Sequence, residues 1–225
     1  MVIPVSNQVA GSGGGRGATA ASPFDLSGGR LCLDFANTLS KRLTSHPKEL
    51  LASYGDLAAW SRQAGLVTER EAGVLIREAK RHPADAAAVL ERATALREAI
   101  YRIFSAVAGE GPAGRGDLAT LNAALSEALP LLGIVPKGDG FAWRWTGDGQ
   151  RLDRMLWAVT RSAADLLTSG ELAAVRECEA ETCAWLFMDR SRNRSRRWCD
   201  MKACGNRAKA RRHYERKKAG HGTPA

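Results

Sequence analysis

Four of the chain's five cysteines fall within 27 residues. They form two pairs, Cys178/Cys183 and Cys199/Cys204, with four residues inside each pair and fifteen between the pairs. Nothing else in the sequence restricts the local fold so tightly. Thiolates are soft ligands, and two short-spaced pairs suit a tetrahedral Zn²⁺ with every coordination position filled. Such a site leaves no place for a catalytic water, so the ion would be structural. Two disulfides are one alternative. The Val2-Ile3-Pro4-Val5 start lacks the apolar stretch of a secretory signal, however, and a cytoplasmic chain keeps its thiols reduced. An iron–sulfur cluster is another, but ferredoxin-like spacings are tighter. One structural zinc ion on Cys178, Cys183, Cys199 and Cys204 is therefore the expected cofactor.

Charge is concentrated around the same cysteines. Residues 190–218 hold 13 Lys and Arg against Asp200 and Glu215, a local net charge of +11 in a chain of +9. The remainder carries about −2, so the cationic character belongs to this module. So dense a cationic surface is expected to meet a polyanion.

Several short motifs carry a family resemblance. Cys204-Gly205-Asn206-Arg207, with Trp185-Leu186-Phe187, Asp189-Arg190-Ser191-Arg192-Asn193 and Ser195-Arg196-Arg197-Trp198-Cys199, resembles the CGNR zinc finger. Upstream, Gly29-Arg30-Leu31-Cys32-Leu33-Asp34-Phe35-Ala36-Asn37-Thr38-Leu39 resembles the ABATE domain that precedes this finger in bacterial proteins. The resemblance spans nearly the whole chain after its first 25 or so residues, and it implies a stress-related transcription regulator.

The remaining sequence reads as mainly α with a small β-hairpin. Residues 1–24, rich in Gly, Ala, Thr and Ser, are too poor in large apolar groups to order and read as a disordered leader, with 220–225 as a disordered tail. Residues 25–171 read as a mostly helical ABATE-like domain, and 172–219 as a small treble-clef-like zinc finger. Within the first domain, Leu31–Leu39 fits either a strand or a helical face. Its Asp34, Asn37 and Thr38 form a candidate ligand pocket; the plainer reading has them pinning neighbouring backbone. Asp56 is expected to cap one helix, and Thr68 with Glu71 to form a capping box for the next. A long helix should run from about Ala84, and another from Asp117 to Pro130. Leu132–Val135 and Phe141–Thr146 flank a turn, and Phe141, Trp143 and Trp145 share a face expected to close a core. Leu152–Leu167 completes the helices, with Trp157 off its apolar face.

The finger is too small to fold on apolar burial alone, so zinc is expected to supply the folding energy, with Trp185, Leu186, Phe187 and Trp198 as its mini-core. The second cysteine pair should open a helix from about Asn206 to Lys218. Lys209, Arg212 and Arg216 fall on one face of that helix, and Arg207 and Arg211 on the next. The loop adds Arg190, Arg192, Arg194 and Arg196. Arginine forks match phosphate oxygens, and Asn193 and Asn206 are the candidates for reading base edges. Arg197 is expected to pair with Asp189. DNA is the expected partner, with RNA or an acidic protein surface as alternatives; the helical domain would sense a signal or form a homodimer. No apolar run is long enough for a membrane span, the expected location is the cytoplasm, and no motif of an enzyme stands out.

Overall fold

The computed structural model describes residues 24–220. Except for Phe24 and Gly220, the leader and the tail lie outside these residues. Phe24 itself is buried in the core, and its carbonyl accepts a hydrogen bond from Gln63 Nε2.

The elements, in chain order, are α1 (Leu31–Ala36), β1 (Leu39–Ser40), β2 (Lys48–Glu49), α2 (Tyr54–Gln63), α3 (Glu69–Arg81), α4 (Pro83–Ala108), α5 (Arg115–Ala128), β3 (Leu132–Lys137), β4 (Gly140–Trp145), α6 (Arg154–Leu167), β5 (Val175–Glu177), β6 (Leu186–Met188) and α7 (Asn206–Gly220). The β-strands pair only as antiparallel two-stranded ribbons, β1–β2, β3–β4 and β5–β6.

The ambiguous motif resolves as a helix. Residues 32–36 of α1 are all buried, because the helix is enclosed by α4, α6 and β6. Phe35 packs against Trp60 of α2 with ring centroids 5.0 Å apart, and both side chains are fully buried. Each such burial is worth roughly 1.5–3 kcal/mol.

The long α4 is the central beam. Ala93, Leu96, Ile100, Ile103 and Phe104 recur at helical spacing and are buried, and α4 also meets α2, α3, α5, β5 and β6. Its Arg97 is buried with both Nη atoms on the Glu49 carboxylate at 2.5 and 2.7 Å and Nε on Glu98 at 2.9 Å. Arg42 reaches the same Glu98 at 2.7 Å. Arg97 is the buried member, while Glu49 and Glu98 reach solvent, so removing a carboxylate would leave the buried guanidinium short of a partner.

Helix starts follow local chemistry. Thr68 and Glu71 form the expected reciprocal capping box. For α2 the cap is Ser53, three residues before the expected Asp56: Ser53 Oγ accepts from Asp56 N at 3.1 Å and donates to Asp56 Oδ2. Pro83 stands at the first turn of α4, where its missing N–H costs nothing.

The hairpin aromatics do not close a core. Phe141 is 79 % exposed and Trp143 39 % exposed, with Ile134 directly opposite Trp143 and also exposed. What packs is the side toward α6: Trp145 lies against Trp157 at 5.7 Å, and the half-exposed Trp143 lies under the Arg161 guanidinium at 4.4 Å. Trp157 is buried there, and any side chain at Gly147 would overlap its ring. A two-stranded ribbon has one face against the body at its base and none at its tip, so alternation alone does not ensure burial.

Candidate metal centre and nucleic-acid interface

The second half of the chain folds back onto the first through β6. Successive side chains of a strand point to opposite faces. Leu186 and Met188 enter the helical domain's core together with Val175 of β5, while Phe187 joins Cys178, Cys199 and Cys204 in a separate cluster. Trp185 and Trp198 pack against that second cluster from its rim. Leu186, expected in the finger's mini-core, thus belongs to the larger one.

Two hydrogen-bonded devices lock this strand to α1. Asn37, the C-terminal cap of α1, donates from Nδ2 to Leu186 O and accepts at Oδ1 from Leu186 N, both at 2.9 Å. Asp34 accepts from Gly28 N at 2.7 Å, and Gly28 O in turn accepts from Met188 N at 2.9 Å. Thr38 Oγ1 donates to Phe35 O at 2.7 Å. All three residues are buried and turned to backbone partners, the pinning arrangement, and other residues line the cavities among the described residues. Burial pushes the Asp34 carboxyl up to about 7, against the lowering effect of the Gly28 N–H. Cys32, the fifth cysteine, is fully buried, which pushes its thiol up to about 12 and makes it a poor nucleophile.

The metal centre follows from the ribbon. Between β5 and β6 the chain makes a knuckle in which Cys178 N donates to Trp185 O at 2.8 Å and Cys183 N to Ala180 O at 2.8 Å. Ala184, just after Cys183, takes a left-handed φ of 56° to complete the turn. In the second pair Cys199 precedes and Cys204 lies within a single wide turn, Met201–Gly205, capped by Asp200, whose carboxylate accepts from Ala203 N at 2.8 Å. This turn runs directly into α7, so Cys204 sits at the helix's positive end.

All four sulfurs lie within 4.8 Å of one another, with Cys183 to Cys199 at 3.6 Å and Cys199 to Cys204 at 3.7 Å. A tetrahedral zinc with Zn–S bonds near 2.3 Å sets its sulfurs about 3.8 Å apart, so the cluster fits that ion. None of the cysteines is in a disulfide. Without a cation, hydrogen bonds from Cys183 and Cys199 pull the Cys178 pKa far down, and those of Cys183 and Cys199 rise in turn. Four thiolates this close need a bound divalent charge. The chain thus carries one structural zinc site, with Arg207 Nη2 4.0 Å from Cys204 Sγ.

The cations of the finger divide into two groups. Some are committed within the fold. Arg196 lies 4.5 Å over the Phe187 ring, with Nε on Trp198 O at 2.8 Å and Nη2 on Cys199 O. Arg211 pairs with Glu181 and Glu215. Arg197 pairs with Glu179, not with the expected Asp189. Asp189 is buried and shapes the loop instead, accepting from Ser191 N, Ser191 Oγ and Arg196 N. Burial works against its charge, but those donors hold its carboxyl below the usual range. Arg190 donates to Gly29 O at 3.4 Å, across to the helical domain.

The second group faces solvent. Arg192, Arg194, Lys209 and Arg212 are exposed, and none of their side chains has a protein partner among the described residues. Arg216 is exposed beside them, its Nε weakly on Arg212 O at 3.3 Å. Asn193 and Asn206 are also exposed. Glu179 and Glu181, on the knuckle, are what sequence reading missed: each neutralises an arginine far along the chain and thins the cationic surface on that side.

No helix among the described residues is long and apolar enough to cross a membrane. No curated protein matches the chain. The family model described as "putative stress-induced transcription regulator" (ABATE) matches residues 29–170, and that of the CGNR zinc finger matches residues 174–217. The first alone spans more than half of the sequence, and the chain therefore belongs to the ABATE family, with a CGNR zinc finger at its C-terminal side.

Proposed function

We propose that this chain is a DNA-binding transcription regulator of the cytoplasm, in which zinc holds a cationic loop and helix against the duplex and the helical domain senses a signal or dimerises. The observation that supports it most is the solvent-facing set Arg192, Arg194, Lys209, Arg212 and Arg216, left over after the internal ion pairs are counted. Guanidinium groups so placed bind phosphate oxygens through two-bonded contacts, which supply affinity without sequence information. Asn193 and Asn206, exposed in the same region, are the polar groups able to reach base edges. Docking of β6 into the helical core gives the finger a fixed mount, so its angle on a duplex is set by the larger domain.

Gel shifts with duplex DNA, structured RNA and heparin at matched salt test this reading. Duplex DNA should bind at least as tightly as RNA at 50 mM salt, and the tryptophans packed at the zinc rim should not stack on bases. Preference for folded RNA would move the chain to RNA binding. Heparin binding without either nucleic acid would favour docking on an acidic protein.

A further inference from the structure

A cavity of about 370 Å³ opens between α6, the first turn of α1 and the base of the β3–β4 hairpin. Its volume lies within the range of small-molecule sites. Leu31, Leu132, Trp143 and Trp145 give it flat, apolar walls, and two guanidinium groups, Arg30 and Arg161, stand among them.

Both arginines have capacity to spare. Arg161 lies over the Trp143 ring at 4.4 Å and pairs through Nε at 3.3 Å with Asp165, an acid that also lines the cavity. Its two Nη atoms have no protein partner among the described residues. Arg30 spends Nη2 on Glu171, while its Nε is buried without any hydrogen-bond partner. A buried donor left unpaired costs about 1–3 kcal/mol, which a turn of the Arg30 side chain toward an acceptor in the cavity would relieve. Apolar planar walls beside two guanidinium forks call for a ring bearing an anionic oxygen pair.

We propose that this cavity binds a small aromatic carboxylate, with the ring between Leu132 and the tryptophans and the carboxylate on Arg30 and Arg161. The site lies close to the finger's mount. Arg30 directly follows Gly28 and Gly29, whose carbonyls accept from Met188 N at 2.9 Å and Arg190 Nη2 at 3.4 Å. A ligand that draws on Arg30 therefore pulls at the segment hydrogen-bonded to β6 and to the cationic loop. That consequence rests on the regulatory reading; binding itself does not.

The test uses the zinc-loaded full chain, without nucleic acid, and follows the tryptophan indole N–H resonances during titration with 1-naphthoate and with 1-naphthamide. The acid should give saturable shifts at Trp143 and Trp145, and the amide should bind at least about ten-fold more weakly, the equivalent of one charge-assisted hydrogen bond. Arg161→Met should weaken the acid by a similar factor, and Ala158→Phe, which fills the cavity and leaves both cations, should abolish its binding. The double variant Arg212→Ala/Arg216→Ala should bind the acid unchanged. Shifts confined to Trp185 and Trp198 would place the anion on the finger and overturn the proposal. Equal affinity for acid and amide, or no saturation, would overturn it as well. Since no nucleic acid is present, failure here leaves the finger's reading untouched, and loss of DNA binding leaves this one untouched.

Discussion

The side chain of Asn37 and the backbone of Leu186 exchange two hydrogen bonds of 2.9 Å, so that an amide at the end of α1 acts as one more rung on the edge of β6. Through this pair the most polar part of the N-terminal motif holds the strand that carries the zinc cluster on its other face. Asp34 does the same one step removed, by fixing Gly28 against Met188.

Asn37→Ala should therefore destabilise the protein by about 2–4 kcal/mol, since it strands a buried N–H and a buried C=O of Leu186 together. Equilibrium urea unfolding measures this directly. A loss below about 0.5 kcal/mol would mean that water or a relaxed backbone replaces the clamp.

Asp34 should make stability depend on pH in an unusual direction. Its carboxyl is raised from 3.8 to about 7, chiefly by burial, so the folded chain holds a proton that the unfolded chain has released. Stability contributed by this protonated form is complete below about pH 4 and is lost as pH rises through about 7. Asp34→Asn keeps an acceptor for Gly28 N and removes the titration. The melting temperature of the wild type, relative to Asp34→Asn, should fall between about pH 4 and 7 and level off above. A flat difference would contradict the buried, proton-holding carboxyl.

Zinc removal should unravel the finger unevenly. Structural zinc contributes an apparent 10–16 kcal/mol or so in small fingers, and the Asp189–Lys217 segment has little apolar burial of its own. Ala174, Val175, Leu186 and Met188, by contrast, sit in the helical domain's core. Hydrogen exchange after chelation should show lost protection across 189–217 and retained protection in β5 and β6. Simultaneous loss across the β5–β6 ribbon would show that zinc, and not the helical core, holds it. Native mass spectrometry should find one zinc per chain, lost on Cys204→Ser.

The zinc ligands and the Thr68/Glu71 box were legible because their chemistry is local: a few residue types at fixed spacing suffice. The α2 cap was harder, since Ser53 and Asp56 both carry cap-competent oxygens and contact each other in the fold. For Phe141, Trp143 and Trp145 the alternation shows a shared face but not what covers it. Nothing local shows that β6 would serve two cores: Phe187 meets cysteines close by in sequence, but Asn37, which clamps Leu186, lies 149 residues away. The same holds for Arg197, whose partner Glu179 was hidden behind a nearer acid, Asp189. The left-handed turn at Ala184 carried no signal either, since glycine usually marks such a position.

The most direct test of the central claim is the salt dependence of duplex binding by the wild type and two variants. Five to six phosphate contacts from the solvent-facing cations predict a log–log slope near −5, at roughly −0.9 per contact. Arg212→Ala/Arg216→Ala should flatten that slope by up to about two, whereas Arg211→Ala, already paired with Glu181 and Glu215, should leave it nearly unchanged. Equal slopes for the wild type and the Arg212/Arg216 variant, or no salt-dependent binding at 50 mM salt, would contradict the account.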